Sequence, residues 1–399
     1  MTILSLLFFI NPLVGITSWI WVALRNIDKT SWTAIRGLAL FLSLYLGMIN
    51  STKELHGDFL AYNEYYRDAL QMPFLEYLLL YAKEPVYYAC SWLICNLTQA
   101  NWPVFVTFFT TASYMAIFES AILVAQKTQC SKYHVITVLL FTSLFFQGFA
   151  MNGNMLRQSI SQSFALLFLT YLYFNQHHKW IIAILSIGIH TASIPIIGLG
   201  IIPIVKKKFT LKTFALLILT VIVLSVLLLS MSGILANILF IGYIFSRLEN
   251  TSQLTGTDSW QTEIGINAQF YILSALLMAM IGYIYYFMHR YSKAGNTIPI
   301  GITGIVNIML IILLFVFACN FSEAYFLCMR YQFYVYTFQP ILILLFLRYF
   351  HFRYIHIVEA CLCALMLPYF CYYFSYGVFK YASLAEILIT TPILFFIEI

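Results

Sequence analysis

A few short stretches of an otherwise apolar chain carry side chains that can move protons or hold anions. The first is Lys53-Glu54-Leu55-His56-Gly57-Asp58-Phe59-Leu60-Ala61-Tyr62, which runs on through Glu64, Arg67 and Asp68 to Glu84-Pro85. A helix starting at Asp58 places its carboxylate one turn from Tyr62, on one face. There it could take a proton from an incoming hydroxyl. The plainer reading is a helix cap in a solvated loop, and the same alternative stands for Glu84 before Pro85. The second stretch is Asn152-Gly153-Asn154-Met155-Leu156-Arg157-Gln158-Ser159. An arginine just inside an apolar helix is costly and usually faces a bundle interior or an aqueous cavity. Its planar fork suits a phosphate or diphosphate, with Gln158 beside it and Ser161 one turn below, whereas a snorkelling interfacial arginine is the structural alternative.

His190, in Ile189-His190-Thr191-Ala192-Ser193, is either a proton donor or a hydrogen-bonded packing residue. In Arg330-Tyr331-Gln332-Phe333-Tyr334, residues Arg330, Tyr334 and Thr337 follow one helical stripe, with a Glu323–Arg330 ion pair as the structural alternative. A long connection over 232–268 holds Arg247, Glu249, Asp258, Trp260 and Glu263, and connections of that length are often lids or acceptor-binding segments. His177 and His178 lie in a cytoplasmic turn, His351 and His356 flank another, and none forms a metal-ligand spacing. Eight cysteines lie mostly in or beside apolar runs, without a CxxC pair, and read as small hydrophobes. No P-loop, dinucleotide fingerprint, HExxH or nucleophile elbow occurs, which argues against ATP-driven or metalloprotease chemistry. The combination left is a carboxylate, two arginines, a histidine and many tyrosines, a set suited to an anionic, lipid-linked substrate.

The elements that must position these groups are membrane helices. Of the 399 residues 62% are hydrophobic and 9% charged, too few charges to cover a water-facing surface. Apolar runs of about 20 residues recur along the chain and predict an all-α polytopic membrane protein of about twelve spans, as one integral domain. Spans are expected near 2–24, 36–50, 102–125, 134–151, 156–175, 180–205, 211–231, 269–289, 298–318, 331–350, 354–374 and 385–397. The first lacks a basic n-region and a cleavage site and reads as a retained helix with its amino end outward. Residues 84–97 are too short to cross and read as a half-helix within an outer loop over 51–101. Residues 180–205, interrupted by His190 and Pro195, read as a broken span of two half-helices. This topology gathers most of the 21 basic residues, among them Arg25, Arg36, Lys127, Lys132, Lys206, Arg348 and Arg353, on the cytoplasmic side.

Taken in order, Gly57-Asp58-Phe59 with Tyr62, Glu84-Pro85-Val86-Tyr87, Leu156-Arg157-Gln158, Ile189-His190-Thr191-Ala192-Ser193 and Arg330-Tyr331 resemble the EpsG-like, Wzy-type polysaccharide polymerases over roughly residues 50–335. The outer-loop aspartate and proline-led half-helix also look like the wider GT-C group of membrane glycosyltransferases. Phe59 stands where that group often has a second acid, and Glu84-Pro85 where it has His-Pro-Pro. This departure speaks against a metal-assisted mechanism, and neither a metal nor another cofactor is expected.

The resemblance implies a polymerase in the bacterial cytoplasmic (inner) membrane, with its active site facing outward. It would join oligosaccharide repeat units carried on undecaprenyl diphosphate, for O-antigen, capsule or exopolysaccharide. Expected roles are catalysis by Asp58, Glu84 and His190, and substrate binding by Arg157, Gln158, Arg330, Tyr62, Tyr334 and Arg247. The lipid-linked oligosaccharide and the bilayer are the expected partners, a chain-length regulator is a further candidate, and nucleic acid is not expected. A flippase for the same lipid-linked sugar is the rival reading, since broken helices and arginines also suit transport. One-sided clustering of the charges argues against it. A polysaccharide ligase shares most of the same logic.

Overall fold

The computed structural model describes residues 2–210, 212–216, 219–220, 223, 268–293, 300–321, 325–350, 352–377, 379–389 and 391–392. Among them every regular element is helical. They fall into two compact units, residues 1–198 with 343–399, and residues 199–342. Most of the span expected at 211–231, all of the loop 232–268 except its last residue, Arg247 included, and Glu323 lie outside the described residues.

The first unit opens with α1 (Thr2–Ile10) and α2 (Pro12–Arg25). A single helix over 2–24 is not what forms. Asn11 takes an extended conformation and its side chain accepts from the Val14 N–H at 3.0 Å, while Pro12 brings no N–H to a first turn that needs none. Gly15 comes so close to the Phe8 backbone that a Cβ would sit 2.4 Å from it, so the two short helices fold against each other. Next come α3 (Trp32–Ser51), then α4 (Asp58–Asp68), α5 (Phe74–Leu80) and α6 (Pro85–Thr98) in the loop region, and then α7 (Trp102–Thr128). The 14 residues of α6 extend about 21 Å, against a hydrocarbon core of about 30 Å. As expected for a half-helix, it is too short to cross.

A bent pair follows, α8 (Lys132–Leu144) and α9 (Phe146–Asn154), which turn by 57° at Phe145. No proline lies at this bend. Thr142 and Ser143 instead return their hydroxyls to the Val138 and Leu139 carbonyls at 2.7 and 2.8 Å, a pairing that bends helices, and Phe145 is extended. The long α10 (Leu156–Tyr173) pairs with α11 (Lys179–Ile189). After His190 come a 3-10 turn (Thr191–Ser193) and α12 (Ile194–Ile201), so the break in the 180–205 span falls where the sequence predicts it. Ser161 of α10 donates to the Ser186 and His190 carbonyls at 2.8 and 3.0 Å, and Ser186 returns a bond to the Ser161 carbonyl at 2.7 Å. The groups freed by the break are thereby paired inside the protein, as a low-dielectric surrounding requires.

The second unit holds α13 (Ala268–Lys293), α14 (Ile300–Phe321) and most of α15 (Tyr325–Tyr349), each with buried apolar residues such as Ile284, Leu313 and Leu342. Asn307 of α14 donates to the Val205 and Lys207 carbonyls at 2.7 and 2.8 Å. The first unit regains the chain with the end of α15, α16 (Ile355–Tyr376) and α17 (Leu384–Ile389). Among the described residues five helices are long and apolar enough to cross a membrane, Trp32–Ser51, Trp102–Thr128, Phe270–Tyr291, Gly301–Cys319 and Ile355–Tyr376, and the bent pair makes six. The other expected spans are broken, richer in polar residues, or partly outside the described residues.

The charges of the first unit separate to its two ends. Lys132 Nζ reaches the Asp28 carbonyl at 3.4 Å, and Arg348 Nε donates to the Thr128 carbonyl at 3.1 Å. Arg36 grips both oxygens of Glu119 at 2.7 Å nearby on the same helices. At the other end the Glu54 N–H donates to the Lys380 carbonyl at 3.0 Å, and Lys53 Nζ to Asn154 Oδ1 at 2.9 Å. The loop containing Asp58 and the turn before Arg157 therefore share that second end.

Candidate active site

Three breaks in the helical pattern each bring one ionisable side chain to a common point at this second end. Glu84 precedes α6, which starts where Pro85 supplies a fixed φ at the first helical position. Glu84 occupies the cap position, but its side chain caps nothing. Its Oε2 lies 2.5 Å from Arg157 Nη1, and its Oε1 lies 3.4 Å from His190 Nδ1. Arg157 is in the first turn of α10, where unpaired N–H groups and the helix dipole also favour an anion. His190 is the extended residue closing α11.

His190 Nδ1 faces two partners. The Ala192 N–H points to it at 3.3 Å, and Glu84 Oε1 is at 3.4 Å. With a proton on this nitrogen the ring donates to Glu84, and without it the ring accepts from Ala192. The close approach depends on Gly188, because a Cβ there would meet Val86 Cγ2 at 2.4 Å. A larger residue would push α11 away from the start of α6, and His190 away from Glu84.

Tyrosines complete the wall. The Arg157 guanidinium carbon lies 5.0 Å from the Tyr62 ring centre and 5.8 Å from that of Tyr87, within cation–π range. Arg157 Nη1 also donates to the Tyr88 hydroxyl at 3.1 Å. Tyr62 comes from α4, whose buried positions Phe59, Tyr62, Asn63 and Tyr66 follow helical spacing, so α4 lies against the bundle by one face. Tyr81 stacks on Tyr88 at 4.4 Å, and the Tyr77 hydroxyl donates to the Tyr65 carbonyl at 2.8 Å, which fastens α4 and α5 to α6. Burial raises the Tyr62 phenol above its ordinary value and the neighbouring Arg157 charge opposes it, so the hydroxyl remains a neutral donor. The Glu84 side chain is 4% exposed and that of His190 13%, whereas Arg157 is 26% exposed. The guanidinium is thus the most exposed of the three groups.

The other expected residues fall as follows. Asp58 begins α4 after Gly57, whose φ of +54° favours glycine, and Asp58 is exposed while Tyr62 one turn on is buried. Its charge is felt at both Tyr62 and Lys53. Gln158, beside Arg157 in sequence, is buried inside the bundle at 2% exposure. Arg330 and Tyr334 belong to the second unit, where Tyr334 is buried beside Tyr331 with ring centres 5.6 Å apart and Arg330 is half-buried. Arg247 lies outside the described residues. Sequence reasoning did not single out Tyr88 or Gly188. Tyr88 sits one helical turn after Glu84, a spacing that could have raised it.

The described residues form only helices, several of them of membrane length, and the first unit joins an arginine, a glutamate and a histidine at one end; this is the architecture of an all-α polytopic membrane protein. The chain belongs to the EpsG family, whose family model matches residues 35–386. That range contains Glu84, Arg157, His190 and the tyrosines around them. Family membership supports a polysaccharide-polymerase-like function of the glycosyltransferase kind. No curated protein and no solved structure matches the chain.

Proposed function

We propose that the protein polymerises polysaccharide on the outer face of the bacterial cytoplasmic membrane, joining repeat units carried on undecaprenyl diphosphate. The observation that supports this most is the Glu84–Arg157–His190 contact. A chain-bearing lipid diphosphate competes with Glu84 for Arg157, because phosphate oxygens match the same fork. Exchange of partner leaves the diphosphate on Arg157 and frees Glu84 to accept the proton of the acceptor sugar's hydroxyl. The hydroxyl oxygen attacks the anomeric carbon of the growing chain. The bond from that carbon to the diphosphate oxygen breaks, and undecaprenyl diphosphate leaves with the electron pair.

Arg157 stabilises the charge that develops on the leaving group, with His190 as a further donor, in a site where little water weakens either interaction. Direct displacement inverts the anomeric carbon. Asp58, exposed at the start of α4, is the second acid that could serve the acceptor. The outward orientation is supported by the separation of charges in the first unit. Arg36, Lys127, Lys132 and Arg348 gather at the end opposite the site, as the positive-inside rule asks of a cytoplasmic end.

The test is the length distribution of surface glycan, read by gel, in a strain deleted for the gene and complemented with wild type or Arg157→Ala. Acceptors bearing a single repeat unit in the deletion strain, with a ladder restored by wild type and not by the variant, support polymerisation through Arg157. Loss of the single-unit product, with repeat units accumulating inside, points to transport instead.

A further inference from the structure

At the opposite end of the first unit, a second buried carboxylate is clasped by two imidazoles. Glu359 is in the first turns of α16 and is 2% exposed. His134 Nδ1, from the start of α8, lies 2.5 Å from its Oε1, and His356 Nδ1, one turn earlier on α16, lies 2.9 Å from its Oε2. No lysine or arginine pairs with this carboxylate among the described residues. Two neutral imidazoles leave its negative charge uncompensated, an expensive state for a group withdrawn from water. A cation held among the three side chains removes that cost.

We propose that His134, His356 and Glu359 form a binding site for a divalent transition metal of the zinc class. Their ligand atoms lie within 4.8 Å of one another, a spread that an ion with bonds of about 2.0–2.2 Å can draw together by small side-chain rotations. Two imidazole nitrogens and a carboxylate oxygen are the donor set that zinc accepts, while calcium and magnesium want oxygen alone. His356 and Glu359 stand three residues apart, so the helix itself presents two ligands on one face. The third comes from the neighbouring helix, which gives the site a reason to exist only in the folded chain. His134 is 11% exposed and His356 53%, so the coordination shell is open on the His356 side, where water can complete it. The Tyr133 ring, 4.1 Å from that of His356, steadies the more exposed ligand.

An ion here ties the start of α16 to the start of α8, the lower half of the bent pair whose other end leads to Asn154 and Arg157. The site does not depend on the polymerase reading. Neither does its test.

The full-length protein, purified in detergent with any affinity tag removed and stripped of metal, is titrated with zinc chloride and separately with cobalt chloride. Bound metal is counted by mass spectrometry, and cobalt is followed by visible absorption. The expected result is one ion per chain, a cobalt spectrum of low-symmetry nitrogen and oxygen coordination, and a thermal midpoint raised by zinc. His356→Ala is the mild variant, since that side chain is the most exposed of the three, and it should weaken zinc binding at least 100-fold. His134→Ala should do the same. Wild type that takes up no more zinc than a variant carrying both His134→Ala and His356→Ala, or zinc binding unchanged in both single variants, overturns the proposal. Zinc bound without any cobalt spectrum from nitrogen ligands also overturns it, since that outcome means attachment elsewhere.

Discussion

Glu84 and Glu359 are the same side chain in nearly the same degree of burial, at opposite ends of one unit, each gripped by two basic groups. Their partners differ in one residue. Glu84 has an arginine and a histidine, whereas Glu359 has two histidines. An arginine stays charged at any accessible pH and offers a fork that fits carboxylate or phosphate equally, so its carboxylate can be exchanged for an anionic ligand without loss of the cation. Two imidazoles can instead be neutral nitrogen ligands, and their carboxylate is part of the ligand set. One end is thus built to trade anions. The other is built to keep a cation.

The strongest way to break this contrast is to remove the permanent cation. Arg157→Ala should lower polymer formation by about 100-fold or more, the scale of losing a principal charge stabiliser in a buried site, measured as product ladder per unit time. Arg157→Lys should recover only part of it, because an ammonium lacks the rigid planar fork that sets two parallel N–H bonds on one anion. Next in size is the removal of the base. Glu84→Gln should cost about 100-fold, within the range for a positioned acid–base group, while Asp58→Asn should cost less than about tenfold. The reverse order would move the base to Asp58.

Gly188→Ala is expected to be smaller and to act through position. Pushing α11 off Val86 separates His190 from Glu84, so the rate should fall while protein level and lipid-diphosphate binding persist. His356→Ala should leave polymer length within about twofold of wild type at saturating substrate, since it touches the metal end alone, and its effect should appear in zinc binding and thermal midpoint.

The smallest effect is one of pH. Burial pushes the Lys53 amine down to about 7 from its ordinary 10.5, with the Asp58 charge opposing. The unfolded chain then binds more protons than the folded one between about pH 7 and 10.5, so stability rises with pH across that window. Thermal midpoints measured from pH 7 to 9 should climb for wild type and flatten in Lys53→Met, where the cost of burying a charge near Phe379 and Asn154 is gone.

The sequence discloses the loop end of this contrast better than the other. Glu84 before a proline, Arg157 at the head of an apolar helix and His190 within a broken one each violate the pattern of a plain membrane helix, and such violations are visible in a string of letters. That the three meet is not visible, because the pairing of α6, α10 and α11 depends on packing, including the contact permitted by Gly188. The metal end leaves almost no trace. His134 and Glu359 are 225 positions apart, and only the three-residue step from His356 to Glu359 hints at a shared face. Membrane spans are legible from length and apolar content, but their bends are less so. A proline at position 12 and threonine and serine at 142 and 143 split or bend helices that read as continuous, since the deciding term is which carbonyl a small side chain can reach.

The central claim is that Arg157 and Glu84 together carry glycan transfer. Its most direct test reconstitutes the purified protein in lipid bilayers with a diphosphate-lipid-linked repeat unit and follows the product ladder by gel. Wild type should build a ladder, and Arg157→Ala and Glu84→Gln should each leave the repeat unit unextended while remaining folded and membrane-inserted. Long polymer made at the wild-type rate by either variant would contradict the account.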